Sequence, residues 1–144
     1  MKRVFTLLFA ALIMLFSIIP FSSAAFLTPV EPEIIDLGDG FTAEITSTTM
    51  HLRSSNTKHA KNAVVKYNGT RIGIFTLYGY FLYNGSSAQA TDDDWSATAS
   101  NGYDYDGQSS HSDATVKGSC TFSGNGINKT VSLKITCDKD GNLS

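Results

Sequence analysis

Apolar and polar residues alternate with a period of two along most of this chain, and that pattern restricts its fold more than any other feature. After residue 40 the clearest alternating sets begin at Phe41, Ala63, Ala114 and Val131. A period of two places successive side chains on opposite faces of a β-strand. No segment after the apolar N-terminus keeps a 3.6-residue period for longer than one turn. The pattern therefore predicts an all-β protein.

Asn-Gly pairs separate several of these segments. Asn68-Gly69 and Asn84-Gly85 are strong hairpin signals, because both central positions of a type I′ turn need a positive φ. A two-residue loop at Asn68-Gly69 sets Val65 opposite Ile72 across the predicted hairpin. The run between the two turns, residues 70–83, is the most apolar segment after the N-terminus. We expect it to be a central strand that is covered on both faces.

Three polar segments are predicted to be loops: residues 53–59, the acidic run 92–94 and the stretch 101–112. About seven strands remain, with turn signals between them. This arrangement predicts an antiparallel β-sandwich of immunoglobulin-like type over residues 41–144, with a small barrel as the alternative.

The N-terminus has the three parts of a secretory signal peptide. Lys2 and Arg3 precede an apolar run over residues 4–19, and the small residues 22–25 follow Pro20. The run is shorter than the roughly 20 residues that a membrane-spanning helix needs. We therefore expect a signal peptide over residues 1–25, cut after Ala24 or Ala25, and a secreted, extracellular protein. Residues 26–40 read as an extended acidic leader to the domain.

The charge balance excludes some classes of partner. The whole chain has 144 residues and a net charge of −2, and removal of Lys2 and Arg3 leaves nine basic against thirteen acidic side chains. A mature net charge of −4 argues against nucleic acid and against an anionic membrane surface, since both demand a basic protein. After signal removal we expect no membrane span.

Two segments carry a resemblance to a known group of proteins. Residues 77–85 (LYGYFLYNG) and 136–144 (TCDKDGNLS) are similar to small, uncharacterised secreted β-rich proteins of Gram-positive bacteria, over roughly the last 70 residues. The resemblance implies export and a sandwich-like fold, and it implies no activity. Members of the group often carry a Cys after the segment that matches Asn84-Gly85, whereas this chain has Ala88 and Ala90.

Five residues near the acidic segments are candidate ligand-binding residues. Trp95, Tyr103 and Tyr105 adjoin acidic side chains, among them Asp104 and Asp106. Flat rings next to carboxylates suit sugar recognition by stacking and hydrogen bonding, and Tyr and Trp also supply the strongest contacts of protein interfaces. The competing interpretation of Trp95 is the buried core indole of a sandwich.

No residue pattern indicates catalysis, a metal or a cofactor. Asp104, Asp106 and Asp113 approach the spacing of a calcium loop around Gly107, but Gly102 stands where the first ligand belongs. The three histidines, His51, His59 and His111, have no metal spacing, and no nucleophile motif or glycine-rich phosphate loop is present. We therefore predict no metal site, no cofactor and no enzymatic activity.

The two cysteines, Cys120 and Cys137, meet an oxidising environment outside the cell. A hairpin turn near Asn125 pairs Cys120 with about Val131 and Cys137 with about Ala114. The thiols then lie about six residues apart along one hairpin, or ~20 Å, which is too far for a disulfide. We expect two separate buried thiols, with a Cys120–Cys137 bridge as the alternative.

The sequence favours a secreted, non-enzymatic β-sandwich that acts by surface contact as a protein- or glycan-binding module at the cell exterior. Two other functions stay open. A secreted antagonist, such as a bacteriocin-like toxin or inhibitor, should carry a cationic or amphipathic segment. A small hydrolase needs a cleft with convergent acids.

Overall fold

A computed structural model describes residues 31–53 and 55–144. The predicted signal peptide, residues 1–25, and the start of the leader lie outside the described residues. Within them, no helix has the length and apolar character needed to cross a membrane.

The described residues form eight β-strands in two antiparallel sheets. The five-stranded sheet has the order β1-β2-β3-β4-β5, and the three-stranded sheet has the order β6-β7-β8. The predicted class, an antiparallel β-sandwich, is confirmed, with eight strands where about seven were expected. Both sheets are meanders, without the Greek-key connections of the immunoglobulin arrangement. The strands are β1 (Glu33–Gly38), β2 (Phe41–Arg53), β3 (Asn56–Tyr67), β4 (Thr70–Tyr83), β5 (Ala88–Ala99), β6 (Tyr103–Ser112), β7 (Thr115–Gly124) and β8 (Ile127–Thr136).

Asx-Gly pairs with two positive φ angles form four of the turns. At Asn68-Gly69 the φ angles are 46° and 80°, as the predicted type I′ hairpin requires. The same combination occurs at Asp39-Gly40, Asn101-Gly102 and Asn125-Gly126. Asn84-Gly85 differs, because it begins a wider loop in which the Asn84 side-chain oxygen accepts hydrogen bonds from the backbone N–H groups of Ser86 and Ser87.

The hairpin around β4 has a different register from the predicted one. Tyr67 faces Thr70, but a bulge then sets Val65 opposite Gly73 instead of Ile72. The extra residue lets both Ile72 and Phe75 point into the core, where both are buried. The strand bounds of β4 are as predicted, and it is an inner strand of the sheet between β3 and the edge strand β5.

All three segments predicted to be loops belong largely to strands. Arg53 ends β2 and residues 56–59 belong to β3, residues 92–94 lie within β5, and residues 101–112 contain β6. These strand segments were missed because polar residues or glycine occupy most inward positions as well as the outward ones, whereas backbone pairing with a neighbouring strand does not require apolar side chains.

The core lies between the sheets. It is built from the inward positions of β2 to β8, with Phe41, Phe75, Phe81 and Phe122 as its largest buried side chains. The smaller sheet does not cover the far half of β2, so residues 46–50 are exposed on both sides of the strand. The inner face of the five-stranded sheet is therefore buried only where the smaller sheet covers it.

One buried polar side chain, His59, makes the stability of the domain depend on pH. His59 is 4% exposed, and its Nδ1 lies 2.8 Å from the hydroxyl oxygen of Thr49. Burial lowers the pKa of His59, and the nearby Lys61 lowers it further. Below the ordinary value of 6.5 the unfolded state therefore binds a proton more readily than the folded state does. The free energy of unfolding should fall as the pH drops through this range.

The prediction is a lower urea midpoint at about pH 5.5 than at about pH 7.5. His59→Gln should lose most of this difference. An unchanged pH dependence in His59→Gln would contradict the assignment.

Candidate functional site

The predicted aromatic residues lie where β5 and β6 meet. Trp95 is half-buried, and a Cβ at Gly107 would lie only 2.6 Å from its ring, so the indole packs directly on the backbone of β6. Tyr105 meets Trp95 edge to face, with ring centroids 6.5 Å apart. Tyr103 is 7% exposed and packs edge to face on Phe41. Of the three rings, Tyr105 is the most accessible, at 46% exposed.

The predicted carboxylates point the other way. Tyr103 and Tyr105 pair with Gly124 and Phe122, so they belong to the side of β6 that faces the other sheet. Asp104 and Asp106 alternate with them and are exposed on the outer face. The structure therefore does not combine these rings and carboxylates into one surface. Ligand binding by Trp95, Tyr103, Asp104, Tyr105 and Asp106 stays a prediction.

A cluster of Asp93, Ser109 and His111 joins β5 to β6. The His111 Nδ1 contacts the Asp93 carboxylate. Burial acts to raise the pKa of Asp93, but hydrogen bonds with Ser109 and His111 outweigh it, so the pKa lies below its ordinary value. Both partners bond to the carboxylate, whereas a catalytic relay needs the serine hydroxyl on the histidine. These contacts link β5 of the larger sheet to β6 of the smaller sheet.

The described acidic residues offer little to a metal ion. No group of three or more His, Cys, Asp or Glu side chains within the described ranges is arranged to hold one. Asp104 and Asp106 lie on an extended strand instead of in a loop. Asp138 accepts hydrogen bonds from the backbone N–H groups of Asp140 and Asn142, and so acts as the cap of a C-terminal turn.

Cys120 and Cys137 are free and buried. The predicted register is confirmed, because Cys120 pairs with Val131 and the Cys137 N–H donates to the Ala114 carbonyl oxygen. Burial, with a contribution from the Asp106 charge, raises the pKa of Cys120 to about 11. Burial and Asp138 also raise the pKa of Cys137. Both groups are therefore neutral, unreactive thiols near neutral pH.

We predict that iodoacetamide modifies neither cysteine in the native protein. After denaturation without a reductant, the intact mass should rise by two alkyl groups. A mass that rises only after reduction would demonstrate a disulfide and contradict the observed register.

The most distinctive accessible surface is the outer face of the five-stranded sheet. In register, Lys58 lies opposite Tyr80, and Asn56 opposite Leu82. We call the set Met50, Lys58, Tyr78, Tyr80 and Leu82 the tyrosine face. Met50 is 57% exposed and Leu82 is 45% exposed, although both are large and apolar. This surface contradicts the prediction that both faces of the central strand are covered, since only its inner face is buried.

Lys58 organises the two tyrosines. Its ammonium nitrogen lies 4.7 Å from the ring centroid of Tyr78 and 5.0 Å from that of Tyr80. A hydrogen bond with Tyr80 is the main cause that raises the pKa of Lys58, against an opposing effect of burial. The lysine therefore stays charged and holds both rings in a fixed arrangement on the sheet.

The sequence contains a signal for this face. On β4 the inward positions after Gly73 are Phe75, Leu77, Gly79 and Phe81, whereas Tyr78 and Tyr80 occupy the positions between them. Tyrosine has an apolar ring and a polar tip that tolerates water, so hydroxyl groups on one side of the alternation indicate the exposed side.

Comparison with known proteins found no relative of this chain. No family model matches the chain, and neither a curated protein nor a solved structure is significantly similar to it.

Proposed function

We propose that this chain is a secreted, non-enzymatic binding module that contacts another protein through the tyrosine face. The observation that carries the proposal is that Met50 and Leu82, both exposed, share one face of the sheet with the tyrosines: Met50 lies across Lys58 from Tyr80, and Leu82 lies two residues along β4 from Tyr80. Exposed apolar side chains that adjoin each other on a folded surface mark interaction sites, whereas single ones do not. Leu52, 50% exposed, adds to the same end of the sheet.

The composition of the face suits a protein partner. Tyr is enriched among the residues that contribute most to protein interfaces, because it buries a large ring at a small entropic cost. Lys58 already restrains both rings, so less side-chain freedom is lost on binding. The tyrosine hydroxyl groups and the ammonium group keep the face hydrated while the partner is absent.

The charges on and beside the tyrosine face limit which protein surfaces can bind to it. Asp92 lies opposite Tyr80 and Asp94 opposite Tyr78 on the edge strand β5. The face therefore has a cation at its centre and two carboxylates along one side. A matching protein surface presents an apolar patch, an acidic group toward Lys58 and a basic group toward Asp92 and Asp94.

The contacts of Asp93, Ser109 and His111 do not support an enzyme, because they are not arranged as a relay.

Photocrosslinking from defined positions tests the proposal. A photoreactive phenylalanine replaces Met50 in one variant and Leu82 in another, and each is produced in the cells that secrete the protein. A third variant carries the same group at Thr121, on the outer face of the other sheet. We expect Met50 and Leu82 to capture the same protein and Thr121 not to capture it. Adding Tyr80→Ser should remove the crosslink.

Three results would contradict the proposal. A crosslink of equal yield from Thr121 would show that capture is non-specific. A crosslink only to a second copy of the chain would make the tyrosine face a dimer interface. No capture from either position in secreting cells, with the variants folded, would leave the face without a protein partner.

A further inference from the structure

A shallow groove crosses the outer face of the three-stranded sheet, opposite the tyrosine face. Its volume is about 450 Å³. Ser119 and Ser132 lie directly opposite each other and form its floor, because their side chains are short. Longer side chains border them, with Gln108 on β6 and the pair Lys117 and Lys134 at one end. We call this surface the serine groove.

Two like charges face each other in this groove. Lys117 and Lys134 are exposed and directly opposite in the register of β7 and β8. Like charges at directly opposite positions destabilise a sheet. The ion pairs among the described residues involve Lys66, His111, Lys129 and Lys139, so neither groove lysine has a carboxylate partner there. A third cation is close, since the Lys61 ammonium group donates to the Lys134 carbonyl oxygen at 2.8 Å.

The nearest acids along β6 lie three and four residues from the level of the lysine pair. Asp113 lies three residues and Asp106 four residues along the chain from Ser110, which is level with Lys117, and these stretches span ~10 and ~13 Å. At those separations between exposed groups, salt screens most of the attraction. The groove therefore combines an uncompensated positive end with a neutral floor, in a protein whose net charge is negative.

The neutral part of the groove is rich in groups that both donate and accept hydrogen bonds. Ser110, Ser119 and Ser132 contribute hydroxyl groups, and Gln108 contributes an amide that lies within 3.5 Å of the Ser119 hydroxyl. Such groups match the hydroxyl groups of a sugar ring. Lysine ammonium groups form charge-assisted hydrogen bonds with carboxylate, sulfate or phosphate oxygens.

We propose that the serine groove binds an acidic saccharide. The saccharide's oxyanion binds to Lys117 and Lys134, and its hydroxyl groups bind to Gln108, Ser119 and Ser132. This site is separate from the tyrosine face and does not depend on the protein contact proposed there.

Calorimetric titration of the secreted protein tests this site with three probes of similar length. Oligogalacturonate carries carboxylates, a heparin-derived oligosaccharide carries sulfates, and a maltooligosaccharide is neutral. We expect at least one acidic probe to bind about tenfold or more tightly than the neutral one. Its affinity should fall when NaCl rises from about 50 to about 500 mM, because salt screens the lysines. Which acidic probe binds better identifies the oxyanion.

Variants separate this site from a general charge effect. Lys117→Gln with Lys134→Gln should weaken binding by about tenfold or more. Arg71→Gln with Lys139→Gln removes the same charge elsewhere and should leave the affinity unchanged. Ser119→Ala with Ser132→Ala should weaken the affinity for the oligosaccharide several-fold but leave the affinity for inorganic sulfate unchanged. Because Lys134→Gln relieves a like-charge contact, it should not lower the melting temperature.

Several outcomes would overturn the proposal. Equal losses in the two charge-matched double variants would make the binding non-specific. Equal affinity for the neutral probe would remove the role of the lysines. No binding of either acidic probe at millimolar concentration would exclude the site, and preferential binding of a single-stranded oligonucleotide would assign the groove to a different class of ligand.

Discussion

Phe75→Ala is expected to destabilise the domain by about 3–5 kcal/mol, the usual cost of truncating a buried phenylalanine. Phe75 is fully buried at the centre of β4 and packs against Trp95, with ring centroids 6.4 Å apart. A Cβ at Gly118 would lie 3.1 Å from the tip of the Phe75 ring, so the ring touches the backbone of the opposite sheet. The hydrogen-bonded sheets on both sides cannot collapse into the resulting cavity without breaking their ladders.

Urea unfolding measures this loss. Trp95 is the only tryptophan of the chain, so its fluorescence reports the transition. The midpoint should fall by about 2 M at a typical slope for a domain of this size. Tyr80→Ala, an aromatic truncation on the outer side of the same strand, should cost about 1 kcal/mol or less. Equal losses in the two variants would mean that the inner side of β4 is not the buried one.

Gly73→Ala is expected to cost about 1–3 kcal/mol or more, although alanine is the better strand residue. Less backbone entropy is lost with alanine than with glycine, which alone would stabilise the strand by roughly 0.5–1 kcal/mol. Packing outweighs that gain. A Cβ at Gly73 would lie 2.2 Å from Cε1 of Phe122 and 2.7 Å from the carbonyl oxygen of Thr98. Phe122 is fully buried, and the Thr98 carbonyl belongs to the neighbouring strand, so neither can move away easily.

A double-mutant cycle with Phe122→Leu identifies the cause. Leucine removes the ring atoms nearest to the new methyl group, so the double variant should lose less stability than the sum of the single variants. The contact with Thr98 remains, so the recovery should be partial. A Gly73→Ala protein as stable as the original would show that the sheets separate there without cost.

Local sequence signals located the hairpins better than the strands between them. Asn68-Gly69 turned the chain as expected because both residues readily adopt the positive φ that a type I′ hairpin turn needs. Asn101-Gly102 carries the same signal and opens β6, yet the polar residues that follow led to a predicted loop. In β6 the inward positions after Tyr105 are Gly107, Ser109 and His111, which provide no apolar pattern. Pairing with β7 makes this segment a strand.

The candidate site also shows that local sequence signals do not decide which surface a residue belongs to. Trp95 and Tyr105 were predicted from their position beside acidic residues, and the structure uses the Trp95 ring to pack β5 on β6. Residues 70–83 were predicted to be covered on both faces, whereas Tyr78 and Tyr80 lie on the outer face, which the other sheet does not cover. Proximity along a strand does not imply a shared surface, because adjacent residues point to opposite faces.

The sequence by itself determined the all-β class, the bounds of β4, the turn at Asn68-Gly69 and the pairing of Cys120 with Val131. Each of these depends on a period of two and on backbone φ preferences, which are local properties of the chain. The tertiary structure decided that the meander divides after β5, so that three strands cover part of a five-stranded sheet. Alternation marks two faces of every strand, but only contact with distant strands decides which face is buried. The tyrosine face and the serine groove lie on faces that no distant strand covers, so both are exposed to solvent.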